Sequence, residues 1–285
     1  MAYNEEANIG RLLETVLGQE FIHGELKEIF VVASGCTDRT GDIVKNYEGR
    51  DKRIRLIVQP ERRGKASAIN LFLDEASGDV LILESGDTVP APGTLDKLIA
   101  PFENPEVGMT GGRPIPVNQR DNFIGFTVHL MWLLHHKIAL ETPKLGELVA
   151  FRNFVHQIPQ DTAVDEASIE AIIKEAGFKL RYIPDAIVRN KGPENMKDFL
   201  KQRRRIAAGH GHLKAKTNYE VSTTDPLKIL RILFQETVWK PKETLWIVGA
   251  IALEGAGRLL GYYDLRVRKK NPFVWDIARS TKDLG

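Results

Sequence analysis

Over its first 112 residues the chain switches repeatedly between two hydrophobic periods, and that switching constrains the fold most. Residues 5–18, "EEANIGRLLETVLG", place Ile9, Leu12, Leu13, Val16 and Leu17 at helical spacing, with acids in the first turn where the helix dipole favours them. "IFVVASG" (29–35) is a short apolar run ending in small residues, which reads as a buried strand. "TDRTGDIVKNY" (37–47) opens with a helix-capping pattern. The alternation continues through "IRLIVQ" (54–59, strand), "GKASAINLFLDEA" (64–76, helix), "DVLILES" (79–85, strand), "PGTLDKLIAPFE" (92–103, helix) and "VGMTGG" (107–112, strand). Strand and helix in turn, joined by short connections, predict an α/β domain with a doubly wound, mostly parallel sheet and helices on both faces. Such sheets take ligands at the carboxyl ends of their strands. "VASGCTD" and "ESGDT" both lie there.

The later segments predict a long apolar helix over 121–140, a returning strand at 146–153, a helix over 165–177, a strand over 179–188 and a basic helix over 195–215. This divides the chain into a catalytic unit, 1–215, and a C-terminal helical extension, 216–285. The 40 basic and 38 acidic residues leave a net charge of +2, so no global field draws the chain to nucleic acid. The single cysteine, Cys36, rules out an intramolecular disulfide and a cysteine-rich zinc site. It reads as a small packed side chain, and Asp38 as a helix cap.

Several stretches occur together in one order: "AYNEEANIG", "VVASGCTDRT", "RRGKASAIN", "SGDT", "VDEASIE" with "GFKLRYIPDA", and "KQRRRI". Together they resemble the family 2 glycosyltransferases, inverting enzymes of the GT-A fold, from residue 2 to about 212. "SGDT" stands at the family's metal-binding acidic triplet, and "KQRRRI" matches its "QxxRW" motif. The resemblance implies a membrane-associated enzyme of the "QxxRW" type. It would take a nucleotide-sugar donor, UDP- or GDP-linked, and a polysaccharide or lipid-linked acceptor, and use Mg²⁺ or Mn²⁺.

The chemistry gives the matching residues their work. A nucleoside diphosphate leaving group develops negative charge, which a divalent ion on a carboxylate neutralises. Asp87 aligns with the last acid of the triplet and is the expected metal ligand; otherwise it is a turn aspartate. Ser85 replaces the first acid, and Glu84 should point to the opposite face of the strand. Inverting transfer needs a base for the acceptor hydroxyl. The alignment places Glu166 at the base with Asp165 beside it; two acids at a helix start also serve simply as dipole stabilisers. Tyr3, Asn4, Glu5, Ser34, Arg63, Lys65, Ser85 and Arg205 fall on the nucleotide-sugar side. Lys65 at a helix start suits a diphosphate, or is a solvated turn lysine. Gln202 and Arg203 fall on the acceptor side, although a basic helix face also suits anionic lipid. Ile206 replaces the motif's tryptophan, which weakens a processive reading.

Two further expectations concern the ends of the chain. The family usually has a hydrophobic strand just before "AYNEE", and that central strand is missing here, as in a truncated reading frame. "LWIVGAIALEGAGRLLGYY" (245–263) is about long enough to span a bilayer, but Glu254 and Arg258 interrupt it on one helical face. A helix packed on the catalytic unit or lying in the interface fits better, with a single span as alternative. Both place the protein at the cytoplasmic face of the cell membrane. A sugar nucleotidyltransferase, or a degenerate nucleotide-sugar binder without activity, are the competing functions.

Overall fold

A computed structural model describes residues 1–217, 219, 226–236, 240–269, 271, 273–274 and 279–282. The amino-terminal half alternates as its sequence pattern predicts: α1 (Ile9–Leu17), β1 (Ile29–Ser34), α2 (Thr40–Arg50), β2 (Ile54–Gln59), α3 (Lys65–Glu75) and β3 (Val80–Glu84). β4 (Thr88–Pro90), α4 (Thr94–Ile99) with a 3₁₀ turn at Ala100–Glu103, and β5 (Val107–Pro116) follow. The remainder is α5 (Phe123–Glu141), β6 (Leu148–Arg152), α6 (Asp165–Glu175), β7 (Lys179–Asn190), α7 (Met196–Thr217), α8 (Pro226–Glu236) and α9 (Pro241–Arg266). Residues 237–239, between α8 and α9, and Lys270, after α9, lie outside the described residues.

The strands run mostly in one direction, as the alternation predicts, and two of them, β4 and β6, run against it. β1 and β2 pair in parallel as one two-stranded sheet, and a five-stranded sheet has the order β3-β6-β5-β7-β4. Within it only β5 and β7 are paired in parallel; β6 runs antiparallel to its neighbours β3 and β5, and β4 antiparallel to β7, so β3, β5 and β7 share one direction. β6 inserts between β3 and β5 against their direction.

Met1 and Ala2 stand between the two sheets. Ala2 N–H donates to Val32 O at 2.9 Å, and Ser34 N–H to Ala2 O at 3.0 Å. On the other side Gly86 N–H donates to Met1 O at 2.9 Å. Ala2 therefore pairs in parallel with Ala33 at the place expected for the carboxyl end of the central strand.

The main core lies between β1, β3, β5 and β6 and helices α3 and α6, with Ile69, Phe72, Leu83, Met109, Phe151 and Ile169 buried. β6 is buried from Leu148 to Phe151, as an inserted central strand must be. α1 starts at Ile9, so Glu5 and Glu6 precede it rather than occupying its first turn. α9 packs along α7 through small residues. A Cβ on Gly257 would meet Arg203 Cβ at 2.6 Å, and one on Gly261 would meet Arg204 O at 2.6 Å. Two glycines four apart thus let the helices approach closely, so this face of 245–263 meets protein.

Candidate active site

The carboxyl ends of β1 and β3 and the starts of α3 and α6 open onto a cavity of about 1490 Å³ that continues among α5, α7, α8 and α9. Its floor follows from strand alternation. In β3, Leu81 and Leu83 turn into the core. Glu84 does not line the cavity; its carboxylate accepts from Thr88 Oγ1 at 3.0 Å, and burial pushes it up to about 7. Ser85 and Asp87, past the strand end, do line it.

Beside Asp87 lies Glu5, whose side chain is 2% exposed. A Cβ on Gly86 would meet Glu5 Cγ at 2.9 Å, so the strand tip rests directly on this acid. Lys282 closes the group: its ammonium pairs with Glu5, donates to Tyr3 O at 3.2 Å, and stands 4.0 Å from Asp87 Oδ2. Burial and the charge of Asp87 push the Glu5 carboxyl up, against Lys282. A cation thus already neutralises the two acids. Hard oxygen donors around a positive charge suit Mg²⁺ or Mn²⁺. Among the described residues no three His, Cys, Asp or Glu side chains form a complete metal cage. An ion on Asp87 would therefore take its other ligands from phosphate oxygens and water.

The second constellation joins α3 to α6. Gly64, at φ 93°, makes the turn that starts α3 at Lys65. Lys65 Nζ lies 2.6 Å from Asp165 Oδ2 and 2.8 Å from Glu166 Oε1, both in the first turn of α6. The two carboxyls separate in acidity. Burial and the neighbouring Glu166 charge raise Asp165, despite Lys65. Burial also works to raise Glu166, but the charge and hydrogen bond of Lys65, helped by Arg205, outweigh it and hold this carboxyl low. Glu166 is therefore the more acidic of the two. Such a split is how neighbouring carboxyls acquire different acid–base roles. Arg205, on α7, is buried in the same field, and burial lowers its guanidinium against the pull of Asp165, Glu166 and Glu147.

Residues 1–157, more than half of the chain, match the family described as Glycosyl transferase family 2. The chain belongs to this family. It is 26% identical over 229 residues to an N-acetylglucosaminyltransferase of Rhizobium meliloti (strain 1021), covering 72% of this chain and 53% of that protein. A poly-beta-1,6-N-acetyl-D-glucosamine synthase of Staphylococcus aureus (strain COL) is 22% identical over 86% of this chain and 60% of its own length. The chain thus spans a little over half the length of these curated relatives. The structure of a mannosyltransferase from Pyrobaculum calidifontis, in complex with GDP-Man and Mn²⁺, superposes with a TM-score of 0.64 at 20% identity, covering 92% of this chain and 85% of that one. That likeness establishes the GT-A fold.

Placed in this family 2 chain, most of the sequence-selected residues meet in the one cavity: Tyr3, Glu5, Ser34, Lys65, Ser85, Asp87, Asp165, Glu166, Gln202, Arg203 and Arg205. Three need correction. Arg63 points outward and pairs with Glu61 at 3.4 Å; Arg62 faces the cavity instead, its guanidinium 4.4 Å from the Tyr3 ring centroid. Asn4 takes φ 52° and spends its amide on Thr37, accepting from Thr37 N–H at 2.8 Å and donating to Thr37 Oγ1 at 3.1 Å. It holds the loop and does not line the cavity. Arg203 gives both prongs of its fork to Glu254 of α9, at 2.6 and 2.8 Å, so it joins two helices rather than waiting for an acceptor. The acid and base that interrupt 245–263 are explained together, because Arg258 also donates to Glu254, at 2.7 Å. Ser34 donates to Gln59 Oε1 at 2.5 Å.

Sequence reasoning missed three cavity residues. Lys282 arrives from a terminal "STKDLG" with no pattern of its own. His210 stands at the cavity with its Nδ1 unpartnered. His212 lies 3.2 Å from Asp161 Oδ2. Glu147 stood inside a stretch legible only as a strand; burial and the charges of Asp87 and Glu166 push its carboxyl up to about 7, against Lys65 and Arg205.

Proposed function

We propose that this chain transfers a sugar from a UDP- or GDP-linked donor to a hydroxyl of a polysaccharide or lipid-linked acceptor, with inversion. One observation carries the reading: a single cavity holds a partly exposed acid, Asp87, together with the ionised Glu166 and the cations Lys65 and Arg205. The family membership and the names of the relatives support the donor and acceptor classes.

Glu166 accepts the proton of the acceptor hydroxyl as that oxygen bonds to the anomeric carbon. The bond from that carbon to the phosphate oxygen breaks, and the nucleoside diphosphate leaves with the electron pair. A divalent ion held by Asp87, when bound, supplies Lewis-acid neutralisation of the diphosphate. Lys65 and Arg205 add fixed positive charge near the leaving group, where preorganised charge has most effect. Lys65 also tunes the base. While it pairs with Glu166 the carboxylate is weakly basic; drawn toward a diphosphate, it releases that carboxylate to take a proton.

The cavity wall also supports residence at a membrane surface. α9 presents Leu245, Val248, Ile251, Leu259 and Tyr262 to solvent, and α8 presents Leu230 and Phe234. α5 and α9 are the two described helices long and apolar enough to cross a membrane. α9 buries its other face on α7, so the arrangement suits a helix lying at the cytoplasmic membrane surface. Hydrolysis of a panel of nucleotide sugars with Mn²⁺, in wild type and Asp87→Ala, tests the activity. Recovery of the protein from membranes by carbonate tests the peripheral location.

A further inference from the structure

Glu147 is held in a conformation that its residue type resists. Its φ is 64°, and Leu148 N–H donates back to Gly146 O at 2.8 Å, so Glu147 is the central residue of a three-residue turn in its rare, strained form. Glycine adopts this backbone freely and glutamate does not. Strain of this kind persists only where the surroundings fix it, and it gathers at ligand sites.

Two anchors fix this turn. On one side Leu148 pairs with Glu84, next to the Ser85–Asp87 tip. On the other, Leu145 N–H donates at 2.6 Å to Glu170 Oε1 of α6, the helix that carries Asp165 and Glu166. The turn is therefore clamped between the element bearing the proposed metal ligand and the element bearing the proposed base. Glu147 lines the cavity, and among the described residues none makes an ion pair or hydrogen bond with it.

We infer that Glu147 is the sugar-recognition residue of the donor site, accepting hydrogen bonds from hydroxyl groups of the transferred sugar. The inference rests on the donor-site reading above. In that reading the anomeric carbon lies between the diphosphate at Asp87 and the acceptor oxygen at Glu166, which is the interval the Glu147 turn spans. A carboxylate there binds a pair of adjacent sugar hydroxyls with two acceptor oxygens.

The test compares binding of UDP with UDP-N-acetylglucosamine, and of GDP with GDP-mannose, to the full chain with Mn²⁺, by calorimetry. Wild type binds the sugar-bearing form of its own nucleotide at least tenfold more tightly. Glu147→Gln should leave the affinity for the bare diphosphate within twofold and lower that preference at least fivefold. An unchanged preference in Glu147→Gln overturns the inference and leaves the donor site standing. Failure of wild type to bind any of the four overturns the donor-site reading, and this inference with it. Glu147→Gly adds a second arm: it should raise Tm by a few degrees through relief of the turn while also losing the preference. A fall in Tm would mean that Glu147 serves the fold instead.

Discussion

The ammonium of Lys65 lies 2.6 Å from Asp165 Oδ2, with the Asp165 side chain only 3% exposed. Removing the lysine would leave two carboxyls facing each other in a buried site. Breaking a buried pair on one side costs on the order of 3 kcal/mol. Lys65→Met should therefore lower the unfolding free energy by about that amount in urea titration. Asp165→Asn, which leaves Lys65 paired with Glu166, should cost clearly less.

The Arg203–Glu254 fork is a structural joint between α7 and α9. Arg203→Ala should destabilise by about 3 kcal/mol, since Glu254 would keep only its bond to Arg258. The exchange Arg203→Glu with Glu254→Arg should recover much of that loss. A double variant no more stable than Arg203→Ala would return Arg203 to the acceptor side.

Lys282 stands where a cation is needed beside Glu5 and Asp87. It should compete with the divalent ion. Lys282→Ala is expected to lower the Mn²⁺ concentration for half-maximal binding severalfold, measured by the spin-resonance signal of free Mn²⁺. An unchanged or raised midpoint would show that the lysine does not occupy the ion's place.

His210 gives a pH dependence with a definite sign. Burial, and the charges of Lys144, Arg203 and Arg258, hold its imidazole down at about 3. The unfolded chain protonates it near pH 6.5. The folded state then binds fewer protons, so stability present above that value is lost as pH falls toward the folded pKa. Between pH 7 and pH 5 wild type should lose about 2 kcal/mol more than His210→Gln. Parallel stability curves for the two proteins would contradict this.

The fold was largely written in local pattern. The helical spacing of Ile9, Leu12 and Leu13 and the apolar run from Ile29 to Ser34 set α1 and β1 without ambiguity. Strand direction was legible for β3, β5 and β7 but not for β6, because "LVAFR" carries no mark of the direction in which it enters the sheet. β4 escaped because three residues carry no period. At the site, Ser85 and Asp87 were readable from the resemblance of "SGDT" to the family's acidic triplet, and Glu84 turned away as strand alternation requires. Glu147 was not readable, since a positive φ leaves no trace in side-chain pattern. Arg62 faces the cavity where Arg63 was expected, because sequence pattern does not tell which of two adjacent loop arginines turns inward.

The central claim is that Asp87 and Glu166 serve two different steps of one transfer. The most direct measurement is the Mn²⁺-dependent release of nucleoside diphosphate from nucleotide sugars by wild type, Asp87→Ala and Glu166→Gln, each with titration of nucleoside diphosphate binding. The account predicts that Asp87→Ala loses both metal-dependent binding and turnover, while Glu166→Gln keeps binding and loses at least a hundredfold in turnover. Full turnover in Asp87→Ala, or an unimpaired Glu166→Gln, would contradict it.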